Sequence, residues 1–92
     1  MNKTDKKDGF YIITFRSANH CIQTEKKAGK QSGITVIPTP VELTTGCGLS
    51  LRFPVDDFSA VKVFYDTLTV PAEVYFIHNK KIDGKRMTEK LL

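Results

Sequence analysis

Four short apolar runs, separated by two stretches of helical spacing, constrain this chain more than any other feature. The first, Phe10-Tyr11-Ile12-Ile13-Thr14-Phe15, is aromatic and β-branched almost throughout. That composition predicts a central strand covered on at least one face. Ile34-Thr35-Val36-Ile37 is a second strand, closed by Pro38 and Pro40. Leu49, Leu51 and Phe53 alternate with Ser50 and Arg52, the period of two of a half-buried strand, and Pro54 ends it. Glu73-Val74-Tyr75-Phe76-Ile77-His78 reads as the last strand.

Between the first and second runs, Ala18, Cys21, Ile22 and Ala28 recur at helical spacing. Ser17 is placed to cap that helix, Lys26, Lys27 and Lys30 suit its negative end, and Gly33 is the stop signal. Between the third and fourth runs, Phe58, Val61, Phe64, Tyr65 and Leu68 form a second apolar stripe. Asp56 and Asp57 favour its positive end, and Pro71 breaks the chain after it. Short right-handed connections fold this order into an α+β, βαββαβ ferredoxin-like two-layer sandwich: a four-stranded antiparallel sheet with two helices on one face. The domain would span residues 10–79, between a flexible leader at 1–9 and a basic C-terminal tail at 80–92. Asp83-Gly84 marks a turn in that tail, and a short frayed helix over Met87–Leu92 is an open alternative.

Charge argues against a nucleic-acid surface. The net charge is +4, yet residues 9–79 carry six basic and six acidic side chains. The excess sits at the two ends. The third strand lacks the aromatic and basic alternation of an RNA-recognition motif, and its outward face offers only Ser50 and Arg52. No apolar run approaches the roughly 20 residues of a membrane helix. Met1-Asn2-Lys3-Thr4-Asp5 has no signal-peptide character. Two cysteines make no disulfide scaffold, and His20, Cys21, Cys47 and His78 match no zinc spacing. The expectation is a soluble cytoplasmic domain with free thiols, no metal, no nucleic-acid partner and no membrane contact.

Chemistry concentrates in Thr44-Thr45-Gly46-Cys47-Gly48. A cysteine between two glycines has no neighbouring side chain to shield it. Glycines also let backbone N–H groups converge into a nest that stabilises a thiolate. Arg16 and Arg52, at the ends of neighbouring strands, could lie beside that loop. Thr39, Glu42, Thr44 and Thr45 could hold a small ligand, or equally satisfy an irregular backbone. Cys21, on the apolar stripe of the first helix, reads as a packing residue. His20 and His78 are the only candidate bases, and neither belongs to a Cys-His motif.

The segment from Tyr11-Ile12-Ile13-Thr14-Phe15-Arg16-Ser17, through Glu25-Lys26 and Gly33-Ile34, continues into Ile37-Pro38-Thr39-Pro40 and Glu42-Leu43. It closes on Cys47-Gly48-Leu49-Ser50-Leu51-Arg52-Phe53. Together these runs resemble the selenium/sulfur (Se/S) carrier-like family, a small bacterial domain of unknown function. The resemblance covers about residues 10–78 and implies that Cys47 accepts a persulfide or perselenide. On that reading Gly48 keeps the thiol open, and Arg52, Thr39, Thr44 and Thr45 line the pocket; Gly46 and Arg16 join them as candidate ligand-binding residues on the reading of the loop and strand ends alone. It further implies a sulfur- or selenium-donor protein as partner, no cofactor, and a carrier or accessory role in place of stand-alone catalysis. The alternative is a protein-interaction or small-ligand-binding regulatory module in which Cys47 is structural. In that version Ile12 or Tyr75, on a sheet face left open, would support a homodimer.

Overall fold

The structure, a computed structural model, describes residues 9–28, 33–43, 48–53 and 57–92. In chain order the elements are β1 (Gly9–Phe15), α1 (Ala18–Ala28), β2 (Thr35–Pro38), β3 (Leu49–Phe53), α2 (Phe58–Asp66), β4 (Ala72–Ile82) and β5 (Lys85–Lys90). All five strands join one antiparallel sheet in the order β2-β3-β1-β4-β5.

The expected four-stranded βαββαβ ferredoxin-like sandwich is therefore corrected: the sheet has a fifth strand. It comes from the segment expected as a basic tail. β4 runs on past His78 to Ile82, and β5 turns back along it. The physical reason is that this hairpin forms an edge. Its Asn79–Ile82 arm is solvent-exposed, so it lacks the alternation by which a half-buried strand is recognised. The turn signal was in place. Ile82 pairs with Lys85 across Asp83 (φ 56°) and Gly84 (φ 82°). Positive φ at both central residues is the two-residue hairpin turn that matches strand twist. Met87–Lys90 is accordingly strand, not helix. Leu91 and Leu92 pack onto the core, where the Leu91 N–H donates to the Val74 carbonyl at 2.8 Å.

The helices form where local chemistry directs. The Ser17 hydroxyl accepts from the His20 N–H at 3.1 Å and opens α1. The Asp57 carboxylate accepts from the Ser59 N–H at 3.0 Å and opens α2. Both helices contribute to one core with Tyr11, Ile13, Phe15, Leu51, Phe53, Val74 and Phe76. Cys21 and Val61 are fully buried within it, as the packing reading of Cys21 requires. Tyr11 and Phe76 meet edge-to-face, with ring centroids 4.9 Å apart.

Strand alternation sends Phe10, Ile12, Thr14, Ser50, Arg52, Tyr75 and Ile77 to the opposite face. That face is not left open. Ile12, Ser50 and Ile77 are fully buried and Thr14 nearly so. β1 is thus covered on both sides, and Ser50 does not project to solvent as expected of it.

Candidate functional site

Thr44, Thr45, Gly46 and Cys47 lie outside the described residues. The chain on either side of them is described, and it sets the frame. The Thr39 N–H donates to the Gly48 carbonyl at 2.9 Å, closing the connection between β2 and β3 at its neck. The Thr39 and Ser50 hydroxyls are hydrogen-bonded to each other at 2.7 Å, so the Thr39 side chain is engaged inside the fold. After Pro40, a turn carries the Leu43 N–H back to the Pro40 carbonyl at 3.0 Å.

Glu42, in that turn, reaches across the second sheet face to the far hairpin. Arg86 on β5 grips its carboxylate with both prongs, Nε to Oε2 at 2.9 Å and Nη2 to Oε1 at 3.0 Å. The Arg86 backbone N–H adds a third bond to Oε2 at 3.2 Å. The Glu42 side chain is 8% exposed and that of Arg86 27%. These hydrogen bonds, with the Arg86 side chain foremost, hold the Glu42 carboxyl down at about 2, and they push the Arg86 guanidinium up. Arg86 also lies 5.8 Å from the Phe10 ring centroid, and Arg52 lies 4.7 Å from the same centroid. Glu42 therefore satisfies an internal partner, and Sequence reading alone missed Arg86 because its partner sits 44 residues away.

The sheet register separates the two arginines expected beside Cys47. β1 and β3 pair Tyr11 with Phe53 and Thr14 with Ser50. Two further steps of that register bring Arg16 opposite Gly48, the residue after Cys47. Arg52 pairs with Ile12 and Thr35, four residues along β3 and roughly 13 Å from Gly48 at the usual strand rise. Arg16 is exposed, and a cleft of about 630 Å³ opens beside it. Thr14, Tyr65, Pro71, Ala72 and Glu73 help to line this cleft. Arg16 thus shares the sheet end with Gly48, while Arg52 packs over Phe10 nearer the other end. The first turn of α1 begins at the Arg16 end too, and its N–H groups add positive potential there.

Gly48 itself is exposed, and a Cβ built on it would meet nothing within 4 Å. Neither histidine joins Gly48 on the sheet. His78 pairs with Gly9 at the opposite end of β1, and its Nε2 faces the Glu89 carboxylate at 3.4 Å. His20 lies in the first turns of α1. Among the described residues no group of three or more His, Cys, Asp or Glu could hold a metal ion. No helix among them is long and apolar enough to cross a membrane.

No curated protein and no solved structure matches the chain. The family described as Putative Se/S carrier protein-like matches residues 10–75, which runs from β1 through both helices into β4 and includes Cys47. That span is well over half of the 92 residues, and the chain belongs to the Se/S carrier protein-like family.

Proposed function

We propose that this protein is a chalcogen carrier that accepts sulfur or selenium on Cys47 and hands it on, acting as an accessory protein without a metal or organic cofactor. The family match across Cys47 carries the reading. The electrostatics of the sheet end support it, since Arg16 and the start of α1 put positive potential where Gly48 enters β3. Positive potential favours thiolate over thiol, and the thiolate is the nucleophile. In the transfer, the Cys47 thiolate attacks the outer sulfur of a donor persulfide, R–S–SH. A new S–S bond forms on Cys47, and the donor's S–S bond breaks with its electron pair on the departing thiolate, R–S⁻. The transferred sulfur keeps its proton, so the step needs no external oxidant or reductant. A selenium atom in the outer position follows the same course.

The partner on this reading is a sulfur- or selenium-donor protein. A homodimer through the second sheet face has less support than the sequence suggested, since Ile12 and Ile77 are buried there. The competing reading, an interaction module with a structural Cys47, draws on Val41, which is 90% exposed at the tip of the Pro40–Leu43 turn.

Mass spectrometry of intact protein after incubation with cysteine persulfide separates the two. The carrier reading expects one added sulfur atom on Cys47, none on buried Cys21, and no adduct in Cys47→Ser. It also expects Cys47 to alkylate with an apparent pKa below the ordinary thiol value of about 8.5. Slow, equal labelling of both thiols at neutral pH defeats the carrier reading.

A further inference from the structure

The cleft at the Arg16 end of the sheet is lined by charges of both signs, Arg16 directly after β1 and Glu73 on β4. We propose that this cleft is a binding site for a small zwitterion of the free α-amino-acid class, with the ligand's carboxylate on Arg16 and its ammonium on Glu73. No part of the proposal involves Cys47, so it stands apart from the carrier reading.

Arg16 supplies the first half of such a site. It is exposed, and among the described residues its guanidinium has no hydrogen-bond or ion-pair partner. Its planar fork of N–H donors matches a carboxylate in two-pronged fashion. Glu73 supplies the other half. The β1–β4 register pairs it with Thr14, two residues before Arg16, so the two charges are diagonal neighbours. At the roughly 7–8 Å of such a diagonal, one amino acid can contact both. The Glu73 carboxylate is already oriented, because the Tyr75 hydroxyl donates to Oε1 at 2.8 Å and Lys90 Nζ lies 3.4 Å from Oε2. A carboxylate offers about four acceptor positions, and the Glu73 side chain stays 36% exposed, so it can serve a ligand ammonium together with those partners. The wall between the charges is fixed as well. The Tyr65 hydroxyl donates to the Ala72 carbonyl at 3.3 Å and ties α2 to β4 where both line the cleft. Val70 and Pro71 add an apolar flank for the ligand's side chain, and the volume of about 630 Å³ lies within the range of small-molecule sites. The charge pair also selects against other ligands. A simple anion that approaches Arg16 meets the negative Glu73, and a dianion such as phosphate is repelled more strongly. A zwitterion satisfies both charges at once.

The test is an amide NMR titration of the full-length protein with L-valine and three comparison ligands. Isovalerate lacks the ammonium, isobutylamine lacks the carboxylate, and inorganic phosphate is the dianion. L-valine is expected to give saturable shifts at the Arg16, Ala72 and Glu73 amides with millimolar affinity. Each one-charge analogue is expected to bind at least about tenfold more weakly, the usual worth of a charge-assisted hydrogen bond, and phosphate is expected to bind no better than they do. Two variants then assign the charges. Arg16→Gln is expected to weaken L-valine about tenfold while leaving isobutylamine unchanged, and Glu73→Gln to weaken L-valine by a similar factor while strengthening isovalerate. The unshifted remainder of each variant's spectrum reports that the fold is intact. No saturable shift up to about 50 mM L-valine, well above a millimolar Kd, overturns the proposal. So does isovalerate or phosphate binding as tightly as L-valine, or a folded Arg16→Gln or Glu73→Gln protein that keeps wild-type affinity.

Discussion

Replacing Glu42 by Gln removes the charge from a carboxylate that makes three hydrogen bonds to one arginine. The carboxyl is held from 4.5 down to about 2 in the folded protein. At about 1.4 kcal/mol for each tenfold change in the proton equilibrium, that depression sets a ceiling near 3.5 kcal/mol for the charge-dependent stabilisation. Arg86 keeps partial contact with solvent, which screens the pair, so a loss of about 1.5–3 kcal/mol is expected at pH 7. For a domain of this size that is a fall in Tm of roughly 6–18 °C. The pH dependence carries a definite sign. Because folding lowers this pKa, the stabilisation is fully present above about 4.5 and disappears as pH falls through about 2. Urea or thermal unfolding of wild type and Glu42→Gln from pH 7 downward measures it. The gap in stability should hold constant to about pH 5 and narrow towards pH 2, while the contributions of the other carboxylates cancel in the comparison. A gap below about 0.5 kcal/mol at pH 7, the value of an ordinary surface pair, would refute the reasoning. So would a gap that does not narrow with acid.

Two glycines should respond in opposite ways. At Gly9 a Cβ would collide with the Ile77 carbonyl oxygen and lie 2.7 Å from the Phe76 ring, so Gly9→Ala should cost about 1–3 kcal/mol in chemical denaturation. At Gly48 a Cβ meets open space, so Gly48→Ala should stay within about 0.5 kcal/mol of wild type. On the carrier reading, a loss of sulfur loading on Cys47 in that variant would then reflect the loop and not the fold.

Much of the interior was legible before the structure. Tyr11, Ile13 and Phe15 announce a buried strand because β-branched and aromatic residues suit a pleated, covered surface. Phe58, Val61 and Phe64 announce a helix because steps of three and four align on one face. The fifth strand was hidden because it is an edge. Lys80, Lys81 and Lys85 are exposed and answer to backbone pairing, which leaves no hydrophobic period. The candidate site divided along similar lines. Cys47 and its glycines stood out locally, but the place of Arg16 depends on register and the partner of Glu42 on a crossing of the sheet.

Sequence by itself determined which segments pack, where the helices begin, and that the chain carries the pattern of a Se/S carrier-like domain. The first two arise from residues within a few positions of each other, where covalent geometry already constrains the outcome, and the family pattern is a series of such local runs along residues 10–75. Only the tertiary structure decided that Arg16, and not Arg52, shares the sheet end with Gly48. It alone showed that Thr39 bonds inward to Ser50, and that the supposed tail returns as a strand to hold Glu42. Each of those outcomes joins residues far apart in the chain through strand register and side-chain reach, and no local pattern encodes them.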